Sequence, residues 1–206
     1  MERCMERREK NPHLAAHRKL VYMPPLAVAL WQGTPPPIDF VGNLRGHSTA
    51  WALEELATAA ASAAADGAQL LVMPELFLGG YRALAQIKNP CALRVGVSAD
   101  IDRVCAIACQ HRLCIVVGFF ERGGDNEIYN SAMAVDSDGT VASIYRKTHL
   151  FGPAEEAAFT PGNELGQVFR LCGGVACALL ICCTPNEIET TAHPCVSVLW
   201  SPCWDR

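Results

Sequence analysis

The stretch VACALLIC, residues 175–182, is the part of the sequence that decides the fold. Its eight apolar residues contain no charge, which is typical of a strand buried on both faces of a sheet. Cys182 stands where this strand ends and the turn-forming sequence TPNE (184–187) follows, so its thiol can leave the core and face a pocket. A cysteine at such a place is either a catalytic nucleophile or, more commonly, a buried structural thiol. A nucleophile requires partner side chains from elsewhere in the chain.

Length and composition exclude several classes of protein. The chain has 206 residues, half of them hydrophobic, and a formal charge of −4, which suits one domain with a sizeable core. The mild acidity and the lack of a basic stripe with interleaved aromatics argue against nucleic-acid binding. No apolar run reaches the roughly 18 residues that span a bilayer, and no secretory signal follows the charged start. We therefore expect a cytoplasmic protein with neither nucleic acid nor membrane as a partner.

The sequence contains eleven cysteines, which raises the questions of disulfides and metals. A disulfide framework is disfavoured because the number is odd and several cysteines lie inside apolar segments. None of their spacings is a CxxC, so we expect no metal site and no cofactor, and most of the thiols are predicted to be small core residues. A cysteine-rich metal binder remains a weaker alternative.

Apolar periodicity predicts alternating strands and helices. Strands are predicted at 26–32, 69–73, 113–120, 129–136, 140–145 and 175–182, and helices at 48–65 and 98–111. Strands that alternate with helices, followed by an antiparallel pair, favour an α/β layered domain. Residues 1–22 are charged and aperiodic, so we expect an N-terminal extension, disordered or added by the assigned start codon, before one domain over residues 23–206.

Three residues of reactive type stand at predicted strand ends. Glu75 follows the strand QLLVM, Lys147 follows TVASIY, and Cys182 ends VACALLIC. Sites in α/β proteins form where the carboxyl ends of strands meet. A carboxylate can take a thiol proton, an ammonium can stabilise an oxyanion, and a thiolate can attack an electrophilic carbon. Each residue also has an ordinary interpretation, since a glutamate after a proline and a lysine at an edge strand are commonly solvated.

The motifs around these residues resemble those of the nitrilase superfamily of carbon–nitrogen hydrolases. LVMPELFLGGY contains Glu75, YNSAMAVDSDGTVASIYRKTHLFG contains Lys147, and LLICC contains Cys182. The likeness covers roughly residues 26–191 and preserves the order of the three motifs. The resemblance implies a four-layer α-β-β-α sandwich. It also implies a thioester acyl-enzyme, with Glu75 as general base, Cys182 as nucleophile and Lys147 as stabiliser of the tetrahedral intermediate.

The resemblance implies supporting residues as well. A further glutamate beyond the lysine corresponds to Glu155, with Glu156 one step away. The backbone N–H of Cys183 is expected to be a second oxyanion donor. Glu121 is expected to have a structural role, in which it ties the loop after its strand through backbone hydrogen bonds.

The chain departs from the family pattern after Cys182. Members of the family usually continue with a tyrosine, an aspartate and a phenylalanine–proline–glutamate element, whereas this sequence reads CTPNEIE. Residues 192–206 do not read as the expected helix and strand, and family members usually continue for several more strands and a helix. We therefore expect a sandwich that is incomplete at the C-terminus, with 192–206 as an atypical tail produced by truncation or a frameshift.

These features favour one function and leave others open. The form ELFLGGY (75–81) favours an amidase that acts on a small-molecule amide. A nitrilase or an N-carbamoyl amino acid hydrolase shares the same three residues and stays an alternative, as does a catalytically inactive fragment that acts as a subunit. The resemblance is compatible with a homo-oligomer.

Overall fold

A five-stranded mixed sheet lies at the centre of the fold. The computed structural model describes residues 25–33, 47–80, 92–124, 127–181 and 196–199, with the backbone alone for 47–48 and 196–199. In spatial order the strands are β1 (Val28–Leu30), β2 (Leu70–Val72), β3 (Cys114–Arg122), β4 (Ile128–Val135) and β5 (Val141–Arg146). The first three strands are parallel, and β4 and β5 are antiparallel to their neighbours. Parallel neighbours need long connections, and helices lie in the chain between them.

Two helices cover one face of this sheet. Helix α1 (His47–Ala65) comes before β2, and helix α2 (Ala99–His111) comes before β3. Helix α2 buries Ile101, Val104, Ile107 and Ala108, whose spacing of three and four residues places them on one helical face. These side chains form a core cluster with α1 and with the residues of β3 and β4 that point the same way. The helices therefore form an outer layer on the five-stranded sheet.

A second, three-stranded sheet covers the other face. It contains β6 (Phe169–Leu171), β7 (Val175–Leu180) and β8 (Val196–Leu199), with β7 in the middle. Cys177 and Leu179 of β7 pack against Val116 and Ala132 of the five-stranded sheet. Strand β7 is thus covered on one face by the five-stranded sheet, while its unbroken apolar sequence predicts burial on both faces. The described residues supply three of the four layers of the expected α-β-β-α sandwich.

Most predicted elements are confirmed, with bounds that differ by one or two residues. The sequence patterns do not predict three short elements, helix α3 (Gly152–Ala158), strand β6 and strand β8. Strand β8 lies within the expected atypical tail, residues 192–206, where it pairs in parallel with β7. The expected extension, residues 1–22, lies outside the described residues. In the part of the chain that is described, no helix combines the length and the hydropathy needed to cross a membrane.

Candidate active site

Glu75 lies in a loop that runs tightly along β3. The loop is bonded to the strand on both sides of the glutamate, since Gly118 donates its N–H to the oxygen of Pro74 (3.2 Å) and Leu78 donates to the oxygen of Gly118 (3.0 Å). A Cβ atom at Gly118 would come within 2.5 to 2.7 Å of three backbone atoms of this loop. The next residue, buried Leu76, has a positive φ of 53°, which L side chains rarely adopt. The backbone that carries Glu75 is therefore fixed by close packing.

Lys147 follows directly after β5 and is almost fully buried. Its backbone N–H donates to the oxygen of Asn130 at 2.8 Å, which continues the pairing of β4 and β5 by one residue. Only 2% of its surface is exposed, and its Nζ lies 2.9 Å from Oε1 of Glu75. These two residues are 72 positions apart in the sequence. The fold thus brings together two of the three residues that the motifs single out.

Glu155 is the second carboxylate on the same ammonium. Its Oε1 and Oε2 lie 3.0 and 2.8 Å from Nζ of Lys147, and only 1% of its surface is exposed. Its Oε2 also accepts the N–H of Phe151 at the start of α3, where a helix leaves N–H groups without partners inside the helix. Glu156 is exposed, because neighbouring helical residues point about 100° apart. Glu155, and not Glu156, therefore contacts the lysine.

The charges of this cluster keep the lysine protonated. Burial alone would lower the pKa of Lys147, but hydrogen bonds to Glu155 and Glu75, together with their charges, outweigh burial and raise that pKa above its ordinary value. Lys147 is therefore an ammonium at neutral pH and not a base. With both carboxylates ionised the three groups carry one excess negative charge, so a proton accepted by Glu75 would make the cluster neutral.

Asn130 on β4 belongs to the same cluster. Its Nδ2 donates to Oε1 of Glu75 at 2.7 Å, and the residue is 1% exposed. Its Oδ1 has no hydrogen-bond donor among the described residues. No role is expected for Asn130 from the motifs. An amide within the mostly apolar strand IYNSAMAV is nevertheless a signal, because buried polar side chains almost always have a partner.

A small cavity connects this cluster with the end of β7. It measures about 20 Å³, room for about one water molecule, and it is lined by Glu75, Gly118, Ala132, Leu180 and Ile181 among others. The described part of β7 therefore ends beside Glu75. The two remaining predicted residues, Cys182 and Cys183, come next in the sequence and lie outside the described residues.

The comparison with protein families agrees with this geometry. The model of the carbon–nitrogen hydrolase family matches residues 20–196, which is most of the chain. The chain belongs to the carbon–nitrogen hydrolase family. The expected α/β fold class is confirmed, because a solved amidase structure superposes on this chain with a TM-score of 0.61.

Similar proteins include hydrolases and amidases. A hydrolase encoded in the pqqF 5′ region of Pseudomonas protegens is 37% identical over 68% of this chain and 45% of its own length. An (R)-stereoselective amidase of Pseudomonas sp. is 35% identical over 71% of this chain and 51% of its own. A solved variant of an amidase from Nesterenkonia sp. AN1 carries the acetamide moiety of fluoroacetamide on its active site cysteine. The match to this structure has a TM-score of 0.61 and a sequence identity of 31%. It covers 76% of this chain and 55% of the amidase chain. The chain spans about half the length of these relatives.

In this member of the family, Glu121 belongs to a different ion pair. It lies inside β3, and its carboxylate accepts from Nε and Nη2 of Arg146 at 3.0 and 2.6 Å and from Oγ of Ser131 at 2.6 Å. These partners are side chains, so the Glu121 carboxylate does not make the expected hydrogen bonds to the backbone of the loop. Ser131 and Arg146 each stand next to a residue of the active-site cluster, and successive residues of a strand point to opposite faces. Glu121 therefore stabilises the strands that carry the site from the other side of the sheet.

The described cysteines are free thiols, and the pKa is raised for two of them. A hydrogen bond to Cys114 and burial raise the pKa of Cys172, and burial with the nearby charge of Asp102 raises the pKa of Cys105. A thiol with a raised pKa is protonated at neutral pH and reacts slowly. Within the described ranges, no group of three or more His, Cys, Asp or Glu side chains could hold a metal ion.

Proposed function

We propose that this chain carries the catalytic centre of an amidase, which hydrolyses a non-peptide carbon–nitrogen bond through a thioester on Cys182. The buried cluster of Glu75, Lys147 and Glu155 supports the proposal most strongly. A buried charge is costly unless it is paired, so three such groups in contact, one of which lines a cavity, suggest a functional site. Ile181, the residue before Cys182, lines the same cavity as Glu75.

The first half of the reaction forms the acyl-enzyme. Glu75 accepts the proton of the Cys182 thiol, and the sulfur forms a bond to the carbonyl carbon of the amide while the π electrons move to the oxygen. The ammonium of Lys147 and the N–H of Cys183 stabilise this oxyanion. The carbon–nitrogen bond then breaks, the leaving nitrogen takes the proton from Glu75, and a thioester remains.

The second half releases the acid. Glu75 accepts a proton from a water molecule, whose oxygen attacks the thioester carbon. Collapse of the second tetrahedral intermediate returns the proton to the sulfur and releases the carboxylic acid. Glu155 contacts no reacting atom in this scheme. Its role is to position Nζ of Lys147 and to keep it charged.

An amidase is favoured over the other members of the family for a specific reason. Two of the similar proteins with a stated activity, from Pseudomonas sp. and Nesterenkonia sp. AN1, are amidases, and they match 71% and 76% of this chain. A nitrilase and an N-carbamoyl amino acid hydrolase use the same three residues, so the substrate has to be found by experiment.

A hydrolysis screen over aliphatic amides, nitriles and N-carbamoyl amino acids tests the proposal. We expect amides to be hydrolysed, Cys182→Ala to abolish the activity, and Cys109→Ala, which changes an exposed thiol of α2, to retain it. Fluoroacetamide followed by peptide mass spectrometry should place an acetamide adduct on Cys182. Activity that survives Cys182→Ala would overturn the mechanism. Absence of activity together with equal labelling of all eleven cysteines would identify an inactive fragment.

A further inference from the structure

We propose that Asn130 is a positioning residue that ties one oxygen of the Glu75 carboxylate and leaves the other oxygen to accept the thiol proton. The inference rests on the proposed function, because it concerns the base of that reaction. It adds a residue to which the family motifs assign no role, and it identifies the carboxylate atom that acts.

The hydrogen bonds of Glu75 are distributed unequally over its two oxygens. Nδ2 of Asn130 and Nζ of Lys147 both reach Oε1, at 2.7 and 2.9 Å. Of the described residues, none donates a hydrogen bond to Oε2. A carboxylate oxygen that already accepts two hydrogen bonds has less electron density to offer to a proton, so Oε2 is the more basic atom.

Asn130 connects the base and the lysine through two different atoms. Its side chain donates to Glu75, while its backbone oxygen accepts the N–H of Lys147 at 2.8 Å. A substitution at this position therefore removes the contact to the carboxylate and keeps the backbone contact to the lysine. This separation makes the role of the side chain testable.

An amide has the chemistry that this position requires. It donates a hydrogen bond without adding a charge, whereas a lysine or arginine would compete with Lys147 and an aspartate would repel Glu75. The orientation has a cost, because Oδ1 is buried without a donor among the described residues. The amide is held at that cost, which indicates that its Nδ2 is needed at the carboxylate.

Ser131 provides a matched control on the same strand. Like Asn130, Ser131 is buried and donates a hydrogen bond to a glutamate. Its Oγ donates to Oε2 of Glu121 at 2.6 Å rather than to Glu75. Ser131→Ala therefore removes a hydrogen bond of similar geometry, one residue away and directed to the other face. A general loss of packing or strand stability would affect both variants alike.

The experiment measures the rate at which iodoacetamide alkylates Cys182 from pH 5 to pH 9, with urea unfolding of every variant. We expect Glu75→Gln and Asn130→Ala to slow alkylation roughly tenfold to hundredfold at neutral pH, the range of a hydrogen bond to a charged group. Ser131→Ala should stay within about twofold of the unmodified chain. With an amide substrate, Asn130→Ala should lower kcat and leave KM unchanged.

The isosteric variant Asn130→Asp keeps the proposal testable if Asn130→Ala does not fold. Two adjacent carboxylates share a proton at low pH, which restores a donor to Glu75, so its alkylation rate relative to the unmodified chain should rise as the pH falls. An Asn130→Asp rate equal to that of the unmodified chain at every pH would overturn the proposal. So would an Asn130→Ala rate equal to that of Ser131→Ala while Glu75→Gln is slow. If Glu75→Gln has no effect, the proposed mechanism itself is wrong.

Discussion

Replacing Lys147 by methionine tests the electrostatics of the buried cluster directly. Methionine keeps an unbranched apolar stem and removes the ammonium, so packing changes little. Glu75 and Glu155 then remain buried at 7% and 1% exposure without the cation that lies 2.8 to 3.0 Å from each of them. Their mutual repulsion and their lost hydration are no longer compensated.

The expected loss in the free energy of unfolding follows from the two ion pairs that Lys147→Met removes. A unit charge pair 2.9 Å apart attracts by roughly 6 kcal/mol at an effective dielectric constant of about 20, and desolvation offsets part of this attraction. Breaking a buried pair typically costs about 3–5 kcal/mol. We expect Lys147→Met to reach this range. For a protein with a free energy of unfolding of about 5–15 kcal/mol, the variant would be marginal or clearly weakened.

Urea unfolding at pH 7, followed by circular dichroism, measures this loss. The double variant Lys147→Met/Glu155→Gln should recover about 1–3 kcal/mol, because it has one fewer unpaired carboxylate. Arg146→Met is the matched control, since it removes the neighbouring cation, whose side chain is 39% exposed. Only one buried carboxylate, Glu121, then loses its cation, whereas Lys147→Met strands two, so the control should lose less, about 1–3 kcal/mol.

Two results would refute this reasoning. One is a loss in Lys147→Met that is no larger than the loss in Arg146→Met. The other is a double variant that is as unstable as Lys147→Met.

Three further predictions concern pH, packing and thiol reactivity. Because the pKa of Lys147 is raised in the folded protein, its ion pairs stabilise fully below the ordinary value of 10.5, and unfolding curves should show this stabilisation disappear as the pH rises above that value. Gly118→Ala should lower the free energy of unfolding by about 1–3 kcal/mol and reduce amide hydrolysis, because its Cβ meets the backbone of the Glu75 loop. At pH 8, iodoacetamide should label Cys172, whose pKa is raised, more slowly than the exposed Cys109.

Each of these predictions has an outcome that contradicts it. Alkaline curves that are the same for Lys147→Met and the unmodified chain would show that the lysine contributes nothing through its charge. A Gly118→Ala variant with unchanged stability would mean that the loop can shift at no cost. Faster labelling of Cys172 than of Cys109 would contradict the half-buried, hydrogen-bonded state of the Cys172 thiol.

Local patterns in the sequence predict most of the described elements. The apolar run of β7, the alternation in β4 and β5 and the helical spacing of α2 depend on contacts between near neighbours, which the sequence displays directly. Some short elements are not predicted by such local patterns. Strands β1 and β2 are as short as β6, but they lie in longer apolar runs, whereas β6 contains the charged Arg170. Helix α3 has seven residues, about two turns, which is too few to show a helical period. Strand β8 was missed because its stability comes from pairing with β7, which a local pattern does not contain.

The candidate site also has features that the sequence predicts and features that only the tertiary structure decides. The sequence supplies the reactive residue types and their order, and it includes Glu155 among the supporting residues with Glu156 beside it. Helix α3 decides between the two, because its orientation buries Glu155 at Lys147 and exposes Glu156. The contact between Asn130 and Glu75 joins residues 55 positions apart, so only the pairing of strands reveals it.

The sequence by itself determines which chemical groups this protein has and which segments form strands and helices, because those properties depend on residue type and on neighbours along the chain. The tertiary structure alone decides that Lys147 lies between two carboxylates and that Glu121 faces the other side of the sheet. The physical reason is that the strength of a charge interaction depends on distance and burial. Both quantities are set by how the layers pack and not by separation in the sequence.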